Sequence, residues 1–399
     1  MTGTPIRVGV NLAWLVPGVV GGSEEYTTRL LESVAHQAPA DLHLTLFALR
    51  SFADAHPDLV AAYPCVTVDV DGHRKAERVA LEATWLAREA SKRRIDLLHH
   101  AGGVIPPGPA VARIPALLTI HDLQPLLHPE NFSAVKRRWI ATMLPRSVRR
   151  ARLIVTPSEP ASASVVEHLG VDPDRVVTVP HGVAVPEPVD PVLVDEVRSR
   201  YRLEGSVVLY PAITYPHKDH ETLVEAFARV VGQGRTATLV LTGGPAEHEA
   251  AVAAAIRRAG VGEHVRRTGR VPWSDLDALY AAADVVAFPS RFEGFGAPAL
   301  EAMVRGVPLV AADATALPWV VGDGGVLVPP GDPTAWARAL GAVIDSPAER
   351  LRLATAGRAR AAHFTWSAAG RALVHSYRRA ADPSGDPVDG DQVGEDGGP

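Results

Sequence analysis

The sequence predicts an α/β protein built as two doubly wound parallel sheets in tandem, and three observations support that reading. Short apolar runs alternate with helical stretches through roughly the first 180 residues, which argues a parallel sheet with helices on both faces. A proline-rich stretch, VAVPEPVDPVLVDEV at 183–197, then breaks the pattern, and a second alternating series starts at SVVLYPAI, 206–213. Finally, 399 residues exceed one ordinary core, so two domains of roughly 180 residues follow from size.

With 47% apolar residues, both halves can bury full cores. The net charge of -5 arises largely from six acidic residues at and beyond Asp382; without them the body is close to neutral, so nucleic acid is not an expected partner. Cys65 is the only cysteine, which excludes an intramolecular disulfide and a cysteine-based zinc site and fits a reducing cytoplasm. The start, MTGTPIRVGVNL, lacks a charged segment followed by a long apolar core, and no apolar run approaches the ~18 residues of a spanning helix. A soluble, cytoplasmic chain is expected.

In chain order, IRVGVNL (6–12) reads as a strand, followed by a loop with Gly21 and Gly22 and a helix from about Ser23, its N-cap, with Glu24 and Glu25 just inside. That arrangement suits an anion, and it equally describes a capped helix after a flexible loop. Further strands are LHLTLFAL (42–49), CVTVDV (65–70), DLLHH (96–100) and PALLTI (115–120). In parallel sheets ligands sit beyond the carboxyl ends of strands. His121 and Asp122 stand directly after PALLTI, although a histidine there is more often packed or solvated, and Asp122 can cap the backbone or act as a base. KRRWIATMLPRSVRRAR (136–152) sets seven basic residues beside Trp139, Ile140, Met143 and Leu144. It reads as a solvated helix face or as an amphipathic surface for anionic lipid or a lipid-linked acceptor. LIVTPSEP (153–160), a helix ASVVEHLG (163–170) and a strand VVTVPHGV (176–183) complete the first half.

In the second half, TYPHKDHETLVEAFARV (214–230) places Lys218 between a strand and a helix. Its ammonium can meet a phosphate near the helix start, with charge-assisted hydrogen bonds of roughly 1.5–3 kcal/mol each. His217 and Arg291 are secondary candidates for positive charge. ATLVLTGG (237–244) is a strand ending in Gly243 and Gly244, a close-approach turn at a ligand or a plain turn. In VRRTGRVPWSDLDALYAAADVVAFPS (265–290), Ser274 reads as an N-cap.

The stretch FPSRFEGFGAPALEAMVRGVPLVAAD (288–313) reads as strand end, glycine turn, helix and next strand. Gly294 and Gly296 flank Phe295, Pro298 stands where the first helical turn needs no amide donor, and the helix ends before Gly306. Amides from Gly294 to Ala297, aided by the helix dipole, suit a phosphate, although such turns also serve chain reversal alone. Glu293 and Glu301 bracket the turn. Carboxylates repel a phosphate at short range and suit neutral hydroxyls instead. A diphosphate between two polyhydroxyl groups, as in a nucleotide sugar, satisfies all of these features.

EGFGAPALE resembles the EX7E motif of retaining GT-B glycosyltransferases, particularly family 4. The resemblance implies that Glu293 lies by the donor hexose and Glu301 holds the nucleotide ribose. GGSEEY resembles the loop whose glycine, here Gly22, approaches the donor diphosphate from the opposite domain, and HDL resembles a His-Asp pair in which His121 faces the donor hexose and acceptor pocket. The segment before Lys218 resembles a Gly-Arg-x4-Lys region but departs from it: Ala212 and Ile213 stand at the Gly and Arg positions, which leaves the second phosphate cation unassigned. Arg270 and Val271 fall in a segment resembling the base-binding wall, where backbone groups meet the base edge. VTPSE and VPHGV resemble segments before the interdomain linker, with His181 and Gly182 at the cleft floor; 314–332 resembles the closing segment, with Trp319 in place of a common acidic residue.

The fold so implied has two Rossmann-like doubly wound domains facing a cleft: an acceptor-side domain 1–186, a nucleotide-sugar domain 187–363, a terminal helix 364–381 returning to the first domain, and a disordered acidic tail 382–399. The implied activity is retaining transfer of a hexose from a nucleotide diphosphate sugar to a glycan, lipid-linked or other hydroxyl acceptor, in cell-envelope polysaccharide or glycoconjugate assembly. Its catalytic residues would be Glu293, Lys218 and His121. The donor would be held by Gly22, His217, Lys218, Gly243, Arg270, Val271, Glu293, Gly294, Phe295, Gly296, Ala297 and Glu301. PHKDH-bearing relatives resemble mannosyl- or rhamnosyltransferases, which places GDP-mannose ahead of UDP- and dTDP-sugars. No DxD-type site stands at a convincing strand end, so neither metal nor cofactor is expected. An epimerase of the same architecture and a silent nucleotide-sugar-binding subunit are the alternatives; contact with the inner face of a membrane goes with a lipid-linked acceptor.

Overall fold

Short β-branched and leucine-rich segments bounded by glycine, proline and polar turns can be buried on both faces of a parallel sheet, and the apolar runs here fold accordingly. The structure is a computed structural model and describes residues 4–19 and 21–382. The chain divides into two compact units, Met1–Gly182 with Trp366–Pro399, and Val183–Thr365. The expected acidic tail lies, from residue 383 on, outside the described residues.

The first unit carries β1 (Ile6–Asn11), β2 (Leu42–Leu49), β3 (Cys65–Val68), β4 (Leu97–His100), β5 (Ala116–Thr119), β6 (Leu153–Thr156) and β7 (Val176–Thr178). They form one sheet in the order β3-β2-β1-β4-β5-β6-β7, every pairing parallel. The order reverses between β1 and β4, which makes their carboxyl ends the switch point where open α/β sheets take ligands. Helix Trp366–Ala381 belongs to this unit: it packs on helix Gly22–Gln37, burying Leu373, Val374 and Tyr377, and Ser33 Oγ donates to the Trp366 carbonyl at 2.6 Å.

The second unit begins with an irregular run, after which the Asp190 side chain caps helix Pro191–Arg200 by accepting from Val192 N at 2.9 Å. Its strands are β8 (Ser206–Pro211), β9 (Ala237–Thr242), β10 (Val265–Gly269), β11 (Val285–Phe288), β12 (Leu309–Ala312) and β13 (Val326–Val328). They pair in parallel in the order β10-β9-β8-β11-β12-β13, with the switch point between β8 and β11. Helix His220–Gly232 buries Leu223, Val224, Ala226, Phe227 and Val230, an i, i+3, i+4 stripe against this sheet.

Three helix starts differ from the sequence reading. Helix Gly22–Gln37 begins behind Gly21, whose φ of 62° turns the chain in early, so Ser23 lies inside the helix and caps nothing. Helix Trp273–Ala282 likewise starts behind Pro272, with Ser274 inside it and no side-chain cap. Helix Glu159–Leu169 starts before residue 163 because Ser158 is the cap, its oxygen accepting from Ala161 N at 3.2 Å. Among the described residues no helix is long and apolar enough to cross a membrane.

Candidate functional site

The second unit gathers most of the expected site at the β8/β11 switch point. After β8 the chain makes a tight turn over Pro216–Lys218, then Asp219 takes a left-handed conformation (φ 51°) and leads into helix His220–Gly232. Tyr210, at the end of β8 and fully buried, donates its hydroxyl to the Lys218 carbonyl at 2.6 Å and so fixes this turn. Lys218 Nζ donates to Glu293 Oε1 at 2.5 Å, with side-chain exposures of only 17% and 13%. Two residues expected separately, one for phosphate and one for a hydroxyl, are therefore bonded to each other.

Glu293 is held from behind as well: its backbone N–H donates to Thr315 Oγ1 at 2.9 Å, and Thr315 adopts a φ of 49°. The turn then runs through Gly294 to Gly296, the residue before helix Ala297–Arg305. Gly296 has φ 99°, and a Cβ there would stand 2.5 Å from Leu317 Cδ2, so only glycine fits. Pro298 lies in the first helical turn and Gly306 closes the helix in a left-handed conformation. Phe295 is 3% exposed and packs edge-on to Trp319 and Phe364, which leaves its backbone, not its ring, to meet a ligand.

Glu301, one turn into that helix, accepts from the Tyr280 hydroxyl at 3.0 Å. The two secondary cation candidates are placed differently. Arg291 makes a two-pronged pair with Asp219 (2.7 and 3.0 Å), which raises its pKa and commits its charge to that carboxylate. His217 stacks on Tyr215 with ring centroids 5.7 Å apart. Gly243, at the end of β9, has φ 139°, and a Cβ there would collide with the Ala212 carbonyl oxygen; the chain's own backbone already requires this glycine. The Arg270 side chain lies over Gly244, and Val271 is half-buried against the core.

In the first unit, Gly22 is the first residue of its helix, with open space around it. His121 Nε2 is 2.9 Å from the Ala101 carbonyl, and the ring meets Tyr26 edge-on at 5.5 Å and Trp14 at 6.1 Å. Burial pushes its pKa down to about 4, so at neutral pH it is an uncharged ring. Asp122 Oδ1 accepts from Gln124 N at 2.8 Å, the capping role open to it. His181 stacks on Tyr26 at 4.4 Å and is likewise held neutral by burial, at about 3. At the β1/β4 switch point Asn11 Nδ2 donates to Glu82 Oε2 at 3.1 Å and stands 3.4 Å from His100 Nδ1.

Sequence reasoning missed Tyr210, Tyr280, Asp219 and Thr315, each of which holds an expected site residue. Asp219 carried a signal, since it directly follows Lys218; the other three act only through tertiary neighbours. Among the described residues no group of three or more His, Cys, Asp or Glu side chains is arranged to hold a metal ion. The arrangement offers an ammonium and a helix start for an anion, with carboxylates for hydroxyls beside them.

Two family models match the chain: "Glycosyltransferase Family 4" over residues 20–185 and "Glycosyl transferases group 1" over 205–346. The chain is 30% identical over 402 aligned positions to the D-inositol 3-phosphate glycosyltransferase of Salinispora arenicola, covering 91% of this chain and 88% of that protein. It is 29% identical to O-antigen chain mannosyltransferase B of Escherichia coli, over 66% of this chain and 70% of that protein. In six other curated relatives the match spans 57–60% of the relative's length. Among solved structures, Anabaena HepE in complex with UDP and glucose superposes with a TM-score of 0.71 at 21% identity, covering 94% of this chain and 99% of that one, a likeness of GT-B fold. With both sheets, the motif residues and a relative matched over nearly its whole length in agreement, the chain belongs to the family 4 glycosyltransferases.

Proposed function

We propose that the chain transfers a hexose from a nucleotide diphosphate sugar to an acceptor hydroxyl with retention of anomeric configuration, and that the second unit holds the donor. The observation that carries this reading is the Lys218–Glu293 pair at the β8/β11 switch point, directly before the glycine turn and helix that also bear Glu301. Lys218 and the amides from Gly294 to Ala297 stabilise the charge that develops on the departing diphosphate. Glu293 takes hydroxyls of the hexose and Glu301 those of the ribose. The bond between the sugar's anomeric carbon and the phosphate oxygen breaks, its electron pair leaving with the diphosphate. The acceptor oxygen bonds to the same face of that carbon and passes its proton to the leaving phosphate. His121, neutral as placed, serves as a hydrogen-bonding group at the sugar, and Gly22 as a close-approach point for the diphosphate.

Because the groups offered to the diphosphate are an ammonium and backbone amides, transfer is proposed to proceed in EDTA. Mannose is the sugar proposed first, on the PHKDH segment and the two mannosyltransferases among the relatives. A glycan or lipid-linked acceptor of envelope assembly fits the exposed face of helix Ala134–Arg150, which carries Lys136, Arg137, Arg138 and Arg146 and no acidic residue. The test is a panel of GDP-, UDP- and dTDP-sugars incubated with the full chain, with and without acceptors, the product anomer being read by NMR. Donor consumed only with acceptor, with retained configuration and a large loss in Lys218→Ala and Glu301→Ala, is the expected result. Donor altered without acceptor would mean epimerisation, and binding without turnover a silent subunit; either outcome overturns the proposal.

A further inference from the structure

We infer that Tyr280 is a positioning residue for nucleotide recognition: it orients the Glu301 carboxylate so that the site selects a ribonucleotide over its deoxy counterparts. The inference rests on the reading of Glu301 as the ribose-binding acid. Tyr280 lies in helix Trp273–Ala282, is fully buried, and directs its hydroxyl to Glu301 Oε2 at 3.0 Å. The ring is itself clamped. The Arg305 guanidinium covers its face at 4.6 Å, is anchored to Asp277 Oδ1 at 2.5 and 3.2 Å, and donates to the Glu301 carbonyl at 3.1 Å.

The chemistry of the Tyr280 contact differs from that of an ion pair. A carboxylate that must grip two neighbouring hydroxyls needs a fixed rotation about its last torsion, which is otherwise broad and roughly two-fold. A cation bonded to the carboxylate would fix it but would also compete with the hydroxyls for its charge. Here a neutral phenol contacts Oε2, and the Arg305 guanidinium on the ring face turns its donors to Asp277 and the Glu301 carbonyl. Burial and the adjacent Glu301 carboxylate push the Tyr280 pKa well up, so the hydroxyl stays a donor throughout the range in which an enzyme works. The Tyr280 contact thus orients the carboxylate without itself bringing a positive charge to it.

The test measures binding of GDP and UDP against their 2′,3′-dideoxy forms to the full chain by calorimetry. Wild type is expected to prefer the ribonucleotide, and Tyr280→Phe to reduce that preference about fivefold or more, the loss expected from freeing an oriented charge-assisted contact. In a Glu301→Gln background Tyr280→Phe should change the preference no further, because both act through one carboxylate. If Tyr280→Phe does not fold, Arg305→Met removes the lid and leaves the tyrosine in place, and a smaller drop is expected. Equal weakening for ribo and dideoxy nucleotides, in whichever variant folds, assigns Tyr280 a purely structural role and overturns the inference alone. A wild type without any ribo preference overturns the ribose reading of Glu301 and this inference with it.

Discussion

Replacing Glu293 by glutamine is expected to tighten nucleoside diphosphate binding while lowering sugar transfer. The Lys218 ammonium is held by Glu293 at 2.5 Å, so a phosphate that reaches Lys218 meets a carboxylate at the same ammonium. If the phosphate approaches the far side of the ammonium, its oxygen stands about 5 Å from that carboxylate. Two unit charges at this separation repel by about 3 kcal/mol at an effective dielectric of about 20. Allowing for solvent screening at a partly exposed site, removing one of them gains about 1–2 kcal/mol, or roughly 5- to 30-fold in Kd. Lys218→Met should act in the opposite sense, losing a charge-assisted bond of about 1.5–3 kcal/mol. Titration of GDP and UDP into both variants by calorimetry reads the two signs directly. Both ligand-free variants should melt lower than wild type, since each leaves one member of a largely buried pair alone, and the diphosphate should restore more of that loss in Glu293→Gln. Equal weakening of binding in both variants would refute the reasoning, because it would show that the pair does not share a phosphate site.

Two further outcomes concern stability. Burial holds His99, His100 and His181 at about 3 and His121 at about 4, below the ordinary 6.5, so the unfolded chain takes up protons first as pH falls. The stability these rings contribute is present above pH 6.5 and is lost progressively toward pH 4 to 3; urea midpoints at about pH 7.5 and pH 5 should differ, and equal midpoints would contradict the assignment. Gly243→Ala should cost about 2 kcal/mol or more, because φ is 139° and the added methyl meets the Ala212 carbonyl, whereas Gly260→Ala, at φ 67° in open space, should cost about 1 kcal/mol. Indistinguishable denaturation midpoints for the two variants would contradict that reading.

What could be read from the residues and what could not divide along a physical line. Alternation of apolar runs and helical stretches predicted the strands, and Lys218, Glu293 and the glycine turn were recognisable because each sits at a junction whose chemistry is local. Tyr280 was not, because its helix precedes β11 and the face it turns toward Glu301 is set by packing rather than by spacing. The pairing of Arg291 with Asp219, 72 positions apart, is equally invisible along the chain, and it changes Arg291 from a candidate cation into a brace for the Lys218 turn. Ser23 and Ser274 misled for another reason. Each carries the composition of an N-cap, yet Gly21 and Pro272 start the helix sooner by backbone geometry alone.

The second unit is one uninterrupted length of chain whose first and nearly last residues are bonded to each other, the Val183 amide donating to the Phe364 carbonyl at 2.9 Å. Its two ends therefore leave from a single point, as in a cassette. A homologous 183–365 segment can be exchanged in one piece without rerouting the flanking chain, whereas the first unit cannot be cut out as a continuous fragment, because its sheet relies on a helix encoded near the far end. Chimeras joined at those two neighbouring points would test whether nucleotide preference travels with that segment while the rest of the protein is kept.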